Sequence, residues 1–264
     1  MAISRHQLVK ELEPGLNALF GLEYNRYDNQ HAEIYTSESS DRAFEEEVML
    51  SGFGNASVKS EGSGVAFDNA QESYSARYTH ETVALAFAIT EEAIEDNLYD
   101  RISSRYTKAL ARSMSNTKQV KAAAPLNNGL PSVDGFDSGD GVSLFNTSHT
   151  TVSGTSVKNT LSTQADLNET SLEQAMIDIS GMTDERGLRI AAKAVKMIVP
   201  SANQFQAERL MKSQGRVGTA DNDINALGSM GMIPQGYRVN NFLTDTDSFY
   251  IITDVPNGMK MFTR

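Results

Sequence analysis

A long two-stranded element in the first third of the chain constrains the fold most. Phe44, Val48 and Leu50 have the alternate spacing of a first strand, a Gly- and Ser-rich stretch at 51–64 follows, and Tyr74 lies where a return strand begins. A hairpin with arms this long cannot bury both faces within one domain. We therefore expect it to extend away from the body of the subunit and to reach a neighbouring molecule.

The return strand is expected to continue through residues 83–89. Bulky side chains alternate there with alanines: Val83, Leu85, Phe87 and Ile89 against Ala84, Ala86 and Ala88. Because successive strand residues point to opposite faces, one face carries volume and the other admits the close approach of another element.

A long helix is predicted next, from a cap at Thr90 to about Ala124, before Pro125. At 1.5 Å per residue it would be roughly 50 Å long. That length exceeds what a domain of this size normally spans. Its apolar face is expected to consist of residues at helical spacing: Ile94, Leu98, Ile102, Tyr106 and Leu110.

Four basic residues fall on one face of the same helix, at steps of four, three and four residues. We call this set, Arg101, Arg105, Lys108 and Arg112, the basic stripe. Two interpretations stay open. The stripe is either a solvated face that complements acidic groups in the same subunit or a neighbour, or a surface that faces a polyanion such as packed DNA.

The second half of the chain has the pattern of a compact α/β unit after a polar, linker-like region at 126–163. A helix capped by Thr170 should end near Gly187 and bury Leu172, Ala175, Met176 and Ile179. Strands are expected at 195–199, 237–239 and 249–253, with a helix from Pro200 to about Ser213. A turn at 256–258 begins a final return strand that stops at Arg264, so we expect a C-terminal segment to be missing.

Charge and motifs exclude several function classes. Residues 1–100 hold 6 Lys and Arg against 19 Asp and Glu, which argues against a surface that grips nucleic acid as a whole. The chain has no cysteine and no apolar run long enough for a membrane span. Asp221, Asp223 and Asn225 resemble the first ligands of a calcium loop, but Ala226 and Met232 replace its glycine and glutamate. We expect no catalytic, cofactor-binding or metal-binding residue, and hence no enzyme.

The order of parts, an arm, a long hairpin, a long helix and a compact α/β unit, resembles the tailed-bacteriophage major capsid protein with the Hong Kong 97 fold. The chain is most similar to the Mu-like major head subunit family. The segments that carry this resemblance cover nearly the whole chain: 14–24, 40–50, 76–100, 105–114, 218–227 and 243–260.

The resemblance implies an α+β capsid fold in four parts. These are an N-terminal arm at 1–41, an extended loop at 42–79 that overlaps the adjacent subunit, a peripheral domain with a spine helix at 80–140, and an axial domain at 141–264. The tip of the extended loop would contact the neighbouring subunit through Phe53, Asn55 and Lys59.

The resemblance also implies partners and location. Copies would assemble as pentamers and hexamers into an icosahedral shell around phage double-stranded DNA, bound non-specifically, with the help of scaffolding and portal proteins and without a membrane. The protein would be assembled in the bacterial cytoplasm and reside in the virion. The alternative is an encapsulin-like nanocompartment shell of the same fold, which encloses cargo enzymes instead of DNA.

Overall fold

A computed structural model describes residues 9–88, 90, 99–216 and 223–264, which fall into two units. The first unit combines the residues up to 30 with 81–122, and the second combines 31–80 with 123–264. The structure mixes helices with small sheets, as the α+β prediction requires. The four-part division expected from the sequence stays a prediction.

Two helices dominate the first unit. Helix α1 spans Val9–Tyr24, and helix α2 spans Tyr99–Asn127, its last residues belonging to the second unit. Helix α2 continues through Pro125, so the predicted end near Ala124 is wrong. Helical hydrogen bonding resumes after the proline, since the backbone N–H and the side-chain amide of Asn128 both donate to the Ala124 carbonyl, each at 2.9 Å.

Between Ser103 and Gln119 the buried positions of α2 are small or polar residues, and Leu110 of the predicted apolar stripe is half-buried. The large apolar Leu126 is buried near the end of the helix. Tyr106, a member of that stripe, is 55% exposed, while Ile94 and Leu98 lie outside the described residues. Small and polar side chains give no hydrophobic pattern that would indicate this face, although small side chains let a neighbouring segment approach a helix closely. The buried positions recur at every fourth residue: Ser103, Thr107, Ala111, Ser115 and Gln119.

Strands β2, Phe44–Leu50, and β3, Glu72–Thr79, form the predicted antiparallel hairpin. Phe44 is opposite Thr79 and Leu50 is opposite Glu72, with an irregularity between Val48 and Leu50. The expected continuation of β3 through 83–89 is wrong for the described residues 81–88, which form no strand. The ladder stops at Thr79 because β2 begins at Phe44 and no other described strand lies beside 81–88.

Strand β1, Thr36–Ser39, pairs in parallel with the last strand of the chain, β9, Lys260–Thr263. The sequence predicted a hairpin between the last two strands, and that prediction is wrong. Strand β8, Tyr250–Thr253, pairs instead with β6, Ala194–Val199. The part of the N-terminal arm just before β1 contains a short 3₁₀ helix, Gln30–Glu33, in which His31 is buried.

The main core of the second unit surrounds a three-stranded sheet in the order β7-β6-β8, with β7 at Tyr237–Val239 parallel to β6 and β8 antiparallel to it. Against the sheet pack Leu172 and Ile179 of helix α3, Glu169–Ser180, and Leu210 of helix α4, Gln204–Lys212. The predicted inward face of α3 is confirmed. Three further elements are the two-residue strands β4, His149–Thr150, and β5, Ser156–Val157, and the one-turn helix α5, Ala226–Met230.

The predicted bounds of α3 are wrong at both ends. Its cap is Asn168, whose side chain accepts a hydrogen bond from the backbone of Ser171 at 2.8 Å, while the Ser171 hydroxyl accepts one from Asn168 at 3.0 Å. This box lies two residues before the one expected at Thr170. The helix ends at Ser180 and Gly181 is its C-cap. Residues 183–189 form a separate tight turn with Gly187 at a φ of 83°.

Candidate interaction surfaces

The hairpin ladder ends at Ser51, which marks the base of a surface loop. The Ser51 backbone N–H donates to the Gln71 carbonyl at 2.8 Å, and the Gln71 N–H donates to the Ser51 hydroxyl oxygen at 2.8 Å. Ser51 is buried, whereas nearly every residue from 52 to 70 is exposed. We call residues 52–70 the tip.

The tip exposes large apolar side chains that have no cover within the described chain. Phe53 is 61% exposed, Val58 99% and Phe67 98%, and Val65 is exposed as well. Of the three residues predicted for the tip contact, Phe53, Asn55 and Lys59, all are exposed. Sequence reasoning missed Val58, Val65 and Phe67, although large apolar residues in a Gly- and Ser-rich stretch were a signal that could have found them.

The tip is tied to the turn at 183–189 of the same unit through one carboxylate. Asp68 accepts a hydrogen bond from the Gly54 N–H at 2.7 Å, and the Arg186 guanidinium lies 2.9 and 3.0 Å from its two oxygens. The backbone N–H groups of Gly54 and Asn69, followed by Arg186, hold the pKa of Asp68 below its usual range. Farther down the hairpin, the Tyr74 hydroxyl donates to the Thr150 carbonyl at 2.9 Å.

The root of the hairpin is held by polar contacts. The Ser40 hydroxyl donates to Glu45 at 2.5 Å and lies 3.0 Å from His80 Nε2. Lys260 on β9 donates to Glu47 on β2 at 2.6 Å, and this hydrogen bond raises the pKa of Lys260 above its ordinary value. The N-terminal arm, the hairpin and the last strand therefore converge.

Three members of the basic stripe, Arg105, Lys108 and Arg112, lie exposed on one face of α2. No acidic group in the described ranges forms an ion pair with any of them, in contrast to Lys121 on the same helix, which pairs with Glu81. Arg101 lies within α2, but its side chain is outside the described residues. Among the described residues, the stripe therefore presents three positive charges with which no acidic group forms an ion pair.

Groups capable of chemistry are few. Asp140 and His149 form a partly buried pair at 2.9 Å. Burial alone would raise the pKa of Asp140, but hydrogen bonds from Ser138, His149 and the Val142 N–H outweigh it and hold the pKa low. Within the described ranges no three His, Asp or Glu side chains come together as metal ligands, and no helix there has the length and apolarity of a membrane span.

In the calcium-like sequence, Asn225 has a structural role. Asp221 lies outside the described residues. The Asn225 side chain is buried, and its amide donates to the carbonyls of Leu210 at 2.7 Å and Ser213 at 3.0 Å. Its oxygen accepts from the Gly228 N–H at the start of α5. Asn225 is thus a structural cap.

The chain is similar to known proteins in both sequence pattern and fold. A family model described as phage capsid protein matches residues 73–263. The capsid of bacteriophage JBD30 decorated with minor capsid protein trimers has a TM-score of 0.59 at 11% identity, covering 83% of this chain and 92% of that one. The procapsid of the same phage has a TM-score of 0.58 at 13% identity, covering 90% and 99%. No curated protein matches the chain.

Proposed function

Since this chain belongs to the phage capsid protein family, in which it is a structural major capsid protein, we propose that its copies assemble into an icosahedral shell around packaged double-stranded DNA. Pentamers and hexamers would be the building blocks, with scaffolding and portal proteins as helpers in the host cytoplasm. The protein has no catalytic part in this role.

The exposed tip carries the proposal of self-assembly. Val58 and Phe67 are almost wholly exposed, at the end of a hairpin whose root and neck are held by hydrogen bonds and ion pairs. Burial of such a side chain is worth ~1.5–3 kcal/mol, so four exposed apolar side chains on one loop strongly favour contact with another molecule. Ordering of the tip would offset part of that gain.

Repetition turns moderate contacts into a durable shell. Each copy that offers one tip and receives one tip makes a heterologous contact, which closes into rings when the rotation between copies allows it. Once several contacts hold one subunit, loss of any one of them leaves the subunit in place, and effective concentration favours its return. Tip contacts of modest strength therefore suffice for a closed container.

The basic stripe supports DNA as the content of the shell. Arg105, Lys108 and Arg112 are exposed and unpaired among the described residues, and non-specific DNA binding requires clustered cations with no base contacts. Of the two interpretations of the stripe, we propose the one that faces DNA. An acidic surface of a neighbouring copy would be the competing ligand.

Shortening the tip tests the assembly proposal. Replacement of residues 55–67 by two glycines should leave a folded subunit that forms no closed particles in electron micrographs. The matched control changes only Ser57 and Ser60 to alanine, which retains the apolar side chains and should assemble normally. Closed particles of normal size from the shortened protein would overturn the role given to the tip.

A further inference from the structure

We propose that Arg186 is a positioning residue that fixes the direction in which the tip leaves its own subunit. The inference rests on the proposed function only in taking the tip as the part that contacts a neighbouring copy. Its core, a fixed tip direction in the isolated subunit, stands apart from whether shells form.

The Asp68 carboxylate closes the neck of the tip. It accepts the Gly54 N–H at 2.7 Å across 14 residues of chain, so residues 54–68 form a closed loop. A side chain at position 54 would place a Cβ 3.4 Å from Asp68 and 3.6 Å from the Arg186 guanidinium. These are ordinary van der Waals distances, so backbone, carboxylate and guanidinium are packed in direct contact at this point.

Arg186 ties this closed neck to the rest of the second unit. Its Nη2 atom lies 2.9 and 3.0 Å from the two Asp68 oxygens, 118 residues away in the chain. A guanidinium is suited to this task because its donors are fixed in a plane and it remains charged at every physiological pH. Only 25% of the Arg186 side chain is exposed, so the surrounding protein restricts the conformations that this side chain can adopt.

The backbone that presents Arg186 is itself held. The Asp184 carboxylate accepts hydrogen bonds from the N–H groups of Arg186 at 2.9 Å and Leu188 at 2.7 Å. The carbonyl of Glu185 accepts one from the Ser153 hydroxyl at 3.0 Å. The guanidinium thus projects from a turn whose shape is set before the tip docks on it.

A second tether makes the direction definite. A single contact point would leave the hairpin free to pivot, but the Tyr74 hydroxyl also donates to the Thr150 carbonyl at 2.9 Å. Most of the exposed apolar side chains of the tip, including Val58 and Phe67, lie beyond the Arg186 contact. Their position relative to a neighbour therefore depends on it.

Loss of the Arg186 contact should alter tip orientation more than subunit stability. The Asp68 side chain is 42% exposed, and ion pairs in contact with water contribute little to the free energy of unfolding. A residue needed only for folding would show the opposite pattern, with a lower Tm and an unchanged tip in the molecules that remain folded.

Spin labels on the unassembled subunit measure the orientation directly. The chain has no cysteine, so Ser57→Cys on the tip and Ala202→Cys in the second unit give one specific pair. Electron paramagnetic resonance should give a narrow distance distribution for the parent. It should be clearly broader for Arg186→Ala, intermediate for Arg186→Lys, and unchanged for Arg189→Ala, an exposed arginine three residues away, with one Tm for all four.

A broad distribution in the parent, or an equally narrow one in Arg186→Ala, would overturn the proposal. A lower Tm for Arg186→Ala with a narrow distribution would assign the residue to folding alone, and would also overturn it. The measurement is made on dilute subunit and so gives its answer even when no shells form. Failure of assembly in the parent would count against the proposed function and leave the distance result intact.

Discussion

The ammonium group of Lys260 lies 2.6 Å from a carboxylate oxygen of Glu47, 213 residues earlier in the chain. Lys260 begins β9, which pairs with β1, and Glu47 lies in the middle of β2. One contact therefore joins the end of the chain to the root of the extended hairpin. The direction of the hairpin depends on residues far from it in sequence.

Lys260→Met should loosen this junction. The variant keeps the length of the side chain but removes the donor to Glu47, so amide hydrogen exchange is expected to accelerate in Thr36–Ser39 and Phe44–Leu50. Lys193→Met, at an exposed lysine elsewhere in the same unit, is the control and should leave both strands unchanged. Equal exchange in the two variants would show that the contact does not secure the root.

The same contact predicts a response to alkali. Because Glu47 raises the pKa of Lys260, the stability that the pair supplies is fully present below the unfolded value of 10.5 and is lost as the pH rises through the higher folded value. The difference in Tm between the parent and Lys260→Met should therefore hold from pH 6 to about pH 10 and shrink above it. A difference that shrinks already near neutral pH would contradict this.

Leu172→Ala should destabilise the second unit strongly. Leu172 is wholly buried against the central sheet, and truncation of such a residue costs about 2–5 kcal/mol in free energy of unfolding. Ile177→Ala on the same helix removes an apolar side chain that is 63% exposed and should cost well under 1 kcal/mol, roughly as for other surface positions. Chemical denaturation gives both values. Similar costs at the two positions would refute the assigned core.

Glu185→Gln should raise stability at neutral pH. Burial, followed by the nearby Asp184, raises the pKa of Glu185, and its Oε2 atom has no hydrogen-bond partner among the described residues. Since the folded pKa is raised, stability is greatest below the unfolded value of 4.5 and falls as the pH rises through the folded pKa. Glutamine carries no charge and escapes that fall.

Thermal melts at two pH values check the Glu185 prediction. The Tm advantage of Glu185→Gln over the parent should be clear at pH 7 and disappear near pH 4, where the glutamate is protonated. Glu61→Gln, at an exposed position of the tip, is the control and should show no advantage at either pH. An advantage of the same size at both pH values would point to packing and not to charge.

Charge reversal in the basic stripe tests the proposed contact with DNA. The double variant Arg105→Glu and Lys108→Glu should fold normally, by circular dichroism, and bind duplex DNA more weakly. The slope of log affinity against log salt concentration is negative, and each lost phosphate contact should reduce its magnitude by about 0.9. Particles of the variant should protect less DNA from nuclease.

The control for the stripe carries the same change in net charge away from it. Arg189→Glu with Lys193→Glu alters two exposed residues of the second unit and should retain DNA as the parent does. Reduced particle yield with unchanged DNA binding in the stripe variant would instead assign the stripe to an acidic surface of a neighbouring copy. Particles that hold protein cargo and no nucleic acid would support the nanocompartment alternative.

Local sequence signals predicted the strands that carry a clear pattern of alternating or continuous apolar residues. Alternation and turn residues identified β2 and β3, and the buried run at 195–199 identified β6. The family match and the fold confirm the prediction of a tailed-bacteriophage major capsid protein with an α+β fold. The roles of the tip residues, the basic stripe and the four domain boundaries stay predictions.

Long-range relationships left no comparable signal. The parallel pairing of Thr36 with Lys260 joins distant strands, and four-residue strands carry too little alternation to reveal a partner. The contact of Asp68 with Arg186 depends on two separate turns that meet only in the folded chain. The buried face of α2 has no hydrophobic pattern in the sequence, because serine, threonine and alanine occupy most of its buried positions.

A subunit with uncovered apolar side chains on its tip is expected to bury them only in contact with copies of itself. The most direct test is the size distribution of the protein, by analytical ultracentrifugation and electron microscopy, after expression together with the neighbouring genes. We expect the protein to form uniform closed shells in which the tip is protected from proteolysis. A monomer that persists at high concentration with its tip freely cleaved would contradict it.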